Sequence, residues 1–132
     1  MNREQFIQHT SDEYGVEGEY LWPKYPLFCV FRHPSNRKWF AIVMDVPKNK
    51  LGLVGTEPLD VVNLKCASIL IGSLRKEPGI FPAYHMSKAN WISVALDGSV
   101  PDEQIKMLLY MSYDATAPKN KRKVKDINPR KE

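Results

Sequence analysis

Apolar residues recur along parts of the chain at the spacing of helical turns, and this pattern predicts three helices. At the start of the first helix, Asn2 and Gln5 are spaced as a capping box, in which two side chains accept hydrogen bonds from free backbone amides. Pro78 and Gly79 end the second helix, and Pro101 precedes the third. The helices are predicted over residues 3–14, 67–76 and 102–115.

Five shorter apolar segments lie between turn-forming residues and predict β-strands. Alternation in the second segment puts its even-numbered residues on one face, and we expect that face to pack against the helices. Those residues are Phe40, Ile42, Met44 and Val46. The fourth strand contains Pro82, which cannot donate to a ladder and is typical of a sheet edge. The strands are predicted over residues 27–32, 38–46, 60–65, 80–85 and 90–96.

The order of these elements predicts the fold class. Short connections join the first two strands and the last two, so each pair is expected to form a hairpin. A mostly antiparallel sheet with helices packed on one face is an α+β arrangement. One domain is predicted over residues 1–116. The periodicity then disappears, and residues 117–132 are predicted to be a disordered basic tail.

The formal charge of +4 is distributed unevenly. Residues 117–132 hold seven basic side chains against two acidic ones, whereas the body holds 12 basic and 13 acidic ones. The basic character therefore belongs to the tail. No segment approaches the ~18 apolar residues that cross a bilayer. A cytoplasmic location and no membrane partner are expected.

Few residues suit metal binding or catalysis. Cys29 and Cys66 lack the paired spacing of a zinc or redox motif, and buried free thiols are predicted, with a disulfide as the alternative. Neither a catalytic triad nor a phosphate-binding glycine loop is visible. We expect no enzyme activity, no cofactor and no metal. The acidic residues that come closest to a metal cluster extend over a helix end and a loop: Asp12, Glu13, Glu17 and Glu19.

Several segments resemble the YjbR/MmcQ family. They are Val-Asn-Leu-Lys at 62–65, the run from Gly79 to Trp91 that contains Tyr-His-Met, Leu-Asp-Gly-Ser-Val-Pro-Asp at 96–102, and Met-Ser-Tyr at 111–113. The resemblance implies a fold similar to that of frataxin and its bacterial counterpart CyaY. It also implies a DNA-binding role through a double-wing surface, and it brings no catalytic motif.

A nucleic-acid-binding accessory protein is the first functional hypothesis. The tail would supply nonspecific attraction to phosphates, and basic residues on the strand connections would orient the complex. Residues 32–50 carry five basic groups against one acidic group, on two neighbouring connections that are candidates for a wing. The alternative for each cation is a solvated surface charge. The candidate DNA contacts are Arg32, Arg37, Lys38, Lys48, Lys50, Lys65, Lys88, Lys119, Lys121, Arg122, Lys123 and Lys125.

A small-molecule or protein interaction module is the second hypothesis. A titratable ring, an amide and two aromatic rings lie around the connection between the last two strands together with the cation Lys88, as a phosphate or a stacked base would require, and Lys65 would lie beside them. The alternative is that the polar side chains bond the turn backbone and the rings pack across the hairpin. The candidate pocket residues are Tyr84, His85, Asn90 and Trp91.

Overall fold

The computed structural model of the chain describes residues 1–118 and has the predicted order of helices and strands. The elements are α1 (Arg3–Tyr14), β1 (Cys29–Arg32), β2 (Trp39–Pro47), β3 (Pro58–Lys65), α2 (Ser68–Leu74), β4 (Ile80–Pro82), β5 (Trp91–Ala95) and α3 (Asp102–Thr116). The α+β prediction is confirmed. Most of the predicted basic tail, residues 119–132, lies outside the described residues.

Local chemistry accounts for the ends of α1 and β4. The capping box is present, because Asn2 accepts from the Gln5 amide and Gln5 accepts from the Asn2 amide. Gly15 ends the helix in the left-handed conformation, at a φ of 63°. β4 stops at Pro82 instead of His85, since proline has no N–H with which to extend the ladder.

The strands form one antiparallel sheet in the order β1-β2-β3-β5-β4. Both predicted hairpins are therefore confirmed, and β4 lies at the edge that its proline indicated. β3 lies at the centre, paired with β2 and β5. Strand connections meet at two ends of this sheet, and the end that carries the β1–β2 turn is called the turn end below.

The prediction for the face of β2 is wrong for three of its four residues. Opposite β1, the register skips from Phe31↔Ala41 to Arg32↔Trp39, so Phe40 is an extra residue in β2. Such a bulge reverses the alternation that follows it. Phe40 packs against the helices as predicted. The three residues that instead pack on the opposite face of the sheet are Ile42, Met44 and Val46.

All three helices cover one face of the sheet, which we call the helix face. Its core contains Phe6 of α1, Ile71 of α2 and Leu109 of α3. The opposite face, called the open face, has a second apolar core, which within residues 1–118 is flanked by the α1–β1 and β4–β5 connections. No helix among residues 1–118 is long and apolar enough to cross a membrane.

Ser112 of α3 joins the helix face to two strands. Its hydroxyl donates to the Phe40 carbonyl at 2.6 Å, and it accepts from the Lys65 amide at 2.9 Å. Both strand groups need a partner from outside the sheet, because β2 bulges at Phe40 and β3 ends at Lys65. A fully buried hydroxyl thus meets the requirements of both strands.

An aromatic cluster holds the C-terminal ends of α1 and α3 together at the turn end. Tyr14 stacks on Tyr113 with the ring centroids 4.3 Å apart, and both rings contact Phe40. His33 lies against Tyr113 as well. The buried state of this cluster keeps the Tyr14 phenol away from water, and this raises its pKa to about 12.

The two cysteines are free and buried, as the sequence predicts. Burial raises the pKa of both thiols. Cys29 and Cys66 therefore contribute as small apolar groups to the core of the helix face.

Replacing Ser112 by alanine should lower the free energy of unfolding by about 2–6 kcal/mol, because two buried backbone groups lose their partner at about 1–3 kcal/mol each. Ser73→Ala is the control, since this hydroxyl is exposed and bonds only within α2; its effect should stay within about 0.5 kcal/mol. Urea unfolding measures both values. Equal values for the two variants would contradict the bridging role.

Raising the pH above about 10 should destabilise the protein through Tyr14. A tyrosine in the unfolded chain titrates near pH 10, whereas Tyr14 in the folded chain titrates near 12. The unfolded state therefore loses its proton first, and the stability present below pH 10 is lost as the pH rises toward 12. Tyr14→Phe lacks this proton, so its free energy of unfolding should fall less between pH 8 and pH 11. Equal falls in the two proteins would exclude Tyr14.

Candidate functional site

A groove of about 510 Å³ lies on the open face of the sheet. Ile42 and Met44 of β2 form its floor together with Asn63 of β3. One wall is the connection between α1 and β1, and the other is the connection between β4 and β5. The groove exists because the bulge turns Ile42 and Met44 away from the helices.

Aromatic rings form the first wall. Trp22 packs edge-on against Phe28 and against Trp39, with centroids 5.8 and 5.7 Å apart, and Tyr25 stacks on Phe28. Trp22-Pro23 and Tyr25-Pro26 belong to the same connection, and each proline favours extended geometry at the residue before it. The wall is therefore a packed aromatic cluster on a stiffened connection.

A buried polar network positions the second wall. The Ser93 hydroxyl of β5 donates to the side-chain oxygen of Asn63 and accepts from the backbone amide of Tyr84 at 3.0 Å. The side-chain amide of Asn63 donates to the backbone carbonyl of Tyr84 at 2.7 Å. Asn63 and Ser93 are fully buried. Three hydrogen bonds thus place the start of the β4–β5 connection over the sheet.

Backbone conformation sets the rim of the second wall. His85 adopts a φ of 61°, a left-handed conformation that is uncommon for residues other than glycine. Its ring lies against that of Tyr84, with the centroids 3.9 Å apart. Both side chains line the groove. The sharp turn at His85 therefore brings two rings to the mouth of the groove.

Two of the four predicted pocket residues line the groove, namely Tyr84 and His85. Asn90 is exposed, and its carbonyl accepts from the Cys66 amide at 2.7 Å. Trp91 packs on the core of the open face outside the groove. The alternative interpretation, in which Trp91 packs across the hairpin, stays a prediction.

Sequence reasoning missed the residues of the first wall. Trp22 and Tyr25 were assigned only to a loop and Phe28 only to the first strand, although three aromatic residues beside two prolines were a usable signal. Such side chains are costly to leave in water and usually mark packing or binding surfaces. Trp39 was assigned to one face of the second strand, and no contacting residue was predicted for it.

The candidate DNA contacts within residues 1–118 do not form one patch. β2 runs from Trp39 to Pro47, so the β1–β2 turn and the Lys48–Leu51 3₁₀ turn lie at opposite ends of it, about 26 Å apart at ~3.3 Å per residue. The wing predicted over residues 32–50 is therefore divided. Lys48 and Lys50 lie at the far end.

Five candidates lie at the turn end, because β1 and β3 end there and β2 and β5 begin there. Arg37 and Lys38 occupy the β1–β2 turn and are exposed. Lys65 ends β3 opposite Trp91, the first residue of β5. Exposed Lys88 lies in the connection that leads into that strand.

Arg32 is at the same end but is engaged in an ion pair. Its guanidinium donates two hydrogen bonds to the Glu19 carboxylate, at 2.9 and 2.7 Å. These bonds lower the pKa of Glu19 and raise that of Arg32, so both stay charged. A bidentate pair of this kind leaves less of the Arg32 charge for a phosphate.

The C-terminal end of α3 is anchored beside the β1–β2 turn. Asn36 donates to the Thr116 carbonyl at 3.0 Å. The Thr116 hydroxyl donates its hydrogen to the backbone carbonyl of Ser112. It therefore accepts from Nε2 of His33 at 2.9 Å. The chain therefore leaves the described residues within reach of Arg37 and Lys38. The candidates beyond that point lie outside the described residues: Lys119, Lys121, Arg122, Lys123 and Lys125.

No group of three histidine, cysteine or acidic side chains is arranged to hold a metal ion within residues 1–118.

Comparisons with known proteins agree on the family and the fold. The sequence model of the YjbR family matches residues 12–115. Protein YyaQ of Bacillus subtilis is 39% identical over 116 residues, which span 88% of this chain and 98% of YyaQ. Protein YjbR of Escherichia coli is 40% identical over 67 residues, or 48% of this chain and 57% of that protein. Both relatives are named as uncharacterised proteins, so neither assigns an activity.

Solved structures share the architecture. The crystal structure of a Pseudomonas syringae protein superimposes with a TM-score of 0.87 at 44% identity, covering 89% of this chain and 100% of that one. A Deinococcus radiodurans protein with a DUF419 domain has a TM-score of 0.65 at 24% identity, over 86% and 77% of the two chains, and shows the fold alone. The predicted likeness to frataxin and CyaY stays a prediction. The family model matches residues 12–115, and the similarity to YyaQ covers nearly the whole length of that protein, so this chain belongs to the YjbR family.

Proposed function

We propose that the protein is a nucleic-acid-binding accessory protein, without catalysis of its own, that contacts phosphates from the turn end of the sheet. One observation carries the proposal. Arg37 and Lys38 lie beside the anchored end of α3, from which the most basic part of the chain continues.

The turn that carries Arg37 and Lys38 is held firmly. The His33 amide donates to the Lys38 carbonyl, and the Arg37 amide donates back to the His33 carbonyl, each at 2.9 Å. The Asn36 side chain accepts from the Lys38 amide at 3.0 Å while it donates to α3. Two exposed cations are thus presented on a rigid turn, which lowers the entropic cost of ordering them against a phosphate.

Charge distribution supports a shared role for the turn and the chain beyond it. Residues 1–118 hold 12 basic and 13 acidic side chains, so the body as a whole does not attract a polyanion. Residues 119–132 hold seven basic side chains against two acidic ones. The long-range attraction would come from that segment, and Arg37, Lys38, Lys65 and Lys88 would fix where the duplex lies. The far pair, Lys48 and Lys50, would take no part.

Removing residues 119–132 should weaken duplex binding and flatten its dependence on salt. Each neutralised phosphate adds about 0.9 to the slope of log K against log salt, so losing four contacts flattens it by about 3.6. Fluorescence anisotropy with a labelled duplex, titrated with salt, measures this for the full chain and for residues 1–118. An unchanged slope would reject a contribution from this segment.

Reversing the charge of Arg37 and Lys38 should weaken duplex binding by the full chain and lower the salt slope by about one for each lost contact. Lys48→Glu/Lys50→Glu is the matched control, since it makes the same change in net charge at the other end of β2. Both variants should melt like the wild type, because exposed substitutions cost at most about 0.5 kcal/mol. If the two variants bind equally well, net charge alone determines affinity and the turn-end surface is wrong.

A further inference from the structure

The groove on the open face has the properties of a small-molecule site that is separate from the turn-end cations. Its volume of about 510 Å³ lies within the ~300–1,000 Å³ typical of ligand pockets. Trp22, Phe28 and Trp39 form one wall, and Tyr84 forms part of the other. Faces and edges of several rings around an apolar floor favour a flat ring system over a branched aliphatic ligand.

The floor of the groove disfavours a polar ligand such as a sugar. Ile42 and Met44 are each only 3% exposed and present apolar surface. Asn63 is the polar residue of the floor. Its side-chain oxygen already accepts from Ser93, and its side-chain nitrogen already donates to the Tyr84 carbonyl. A ligand rich in hydroxyl groups would lose its bonds to water there without an equivalent replacement. Met44 and Met86 add flexible thioethers that pack well against aromatic rings.

The charged side chain at the mouth is a cation. Lys24 is exposed at the rim of the first wall. Asp45 also borders the groove, but it is paired in register with Asp60, whose carboxylate binds Arg3 of α1. Paired residues point to the same face, so the Asp45 carboxylate lies on the helix face. The imidazole of His85 is a further polar group at the opening.

We propose that this groove binds a planar aromatic small molecule that carries an anionic group, with its rings between the walls and its anion beside Lys24. Tyr84 and His85 close over the ligand from the β4–β5 connection. The groove recognises this ligand without catalysing a reaction, and its binding does not depend on nucleic-acid binding at the turn end.

The test uses 8-anilino-1-naphthalenesulfonate as the probe and N-phenyl-1-naphthylamine, which lacks the sulfonate, as its neutral counterpart. The folded full chain should bind the sulfonate saturably at one site, with a rise in melting temperature, because a ligand stabilises the state that it binds. Binding that does not saturate, or that lowers the melting temperature, would overturn the proposal.

Two variants locate the probe and test the charge. His85→Asn removes the imidazole but keeps a residue that tolerates the left-handed backbone, and it should weaken binding of both probes at least fivefold. Arg37→Asn is the matched control, since Arg37 has a similar φ of 66° and lies outside the groove; it should bind like the wild type. Lys24→Gln should weaken only the sulfonate.

Other outcomes identify other occupants. If His85→Asn leaves binding unchanged, the probe does not sit in this groove and the proposal fails. If Lys24→Gln affects neither probe, the anionic part of the proposal is wrong. If the chain dimerises in sedimentation runs and His85→Asn breaks the dimer, a second copy occupies the groove in place of a small molecule.

Discussion

The arrangement of both faces depends on the extra residue in β2 and on the hydroxyl that makes it tolerable. Phe40 is the bulged residue of β2. The Ser112 hydroxyl of α3 donates a hydrogen bond to the Phe40 carbonyl and accepts one from the Lys65 amide. A buried carbonyl without a partner would cost about 1–3 kcal/mol. Because α3 supplies that partner, the bulge can persist, and it directs Ile42 and Met44 to the open face.

The open face combines apolar surface with one polar network. Asn63 and Ser93 are fully buried on the neighbouring interior strands β3 and β5, where an unpaired amide or hydroxyl would be strongly unfavourable. Their bonds to the backbone of Tyr84 turn this cost into a positional constraint on the β4–β5 connection. The network therefore explains why a connection of irregular structure can form a defined wall over the sheet.

The same helix that supports the bulge also organises the turn end. Ser112 lies one turn before Thr116, whose hydroxyl and carbonyl are held by His33 and Asn36. α3 thus connects the register of β2 to the place where the chain continues beyond the described residues. The groove and the turn-end cations use different residues but adjoin, because Trp39 of the groove wall follows Lys38 directly in the chain.

Local patterns in the sequence were sufficient for the class, the element order, the capping box, both hairpins and the free cysteines. These features depend on neighbours within a few residues, or on burial that periodicity reports directly. Tyr84 and His85 could be selected for the same reason, because they are adjacent in one connection. The resemblance to the YjbR family is confirmed, whereas the DNA-binding role that it implies stays a prediction.

Tertiary structure alone decided which surfaces meet. One extra residue at Phe40 reversed the faces of β2, and no local signal distinguishes a bulge from regular alternation. Trp22 and Trp39 belong to separate segments that touch only after the sheet has formed. Lys38 and Lys48 are close in sequence and far apart in space, because a nine-residue strand runs between them. The sequence by itself determines what is buried, whereas the path of the chain determines which residues share a site.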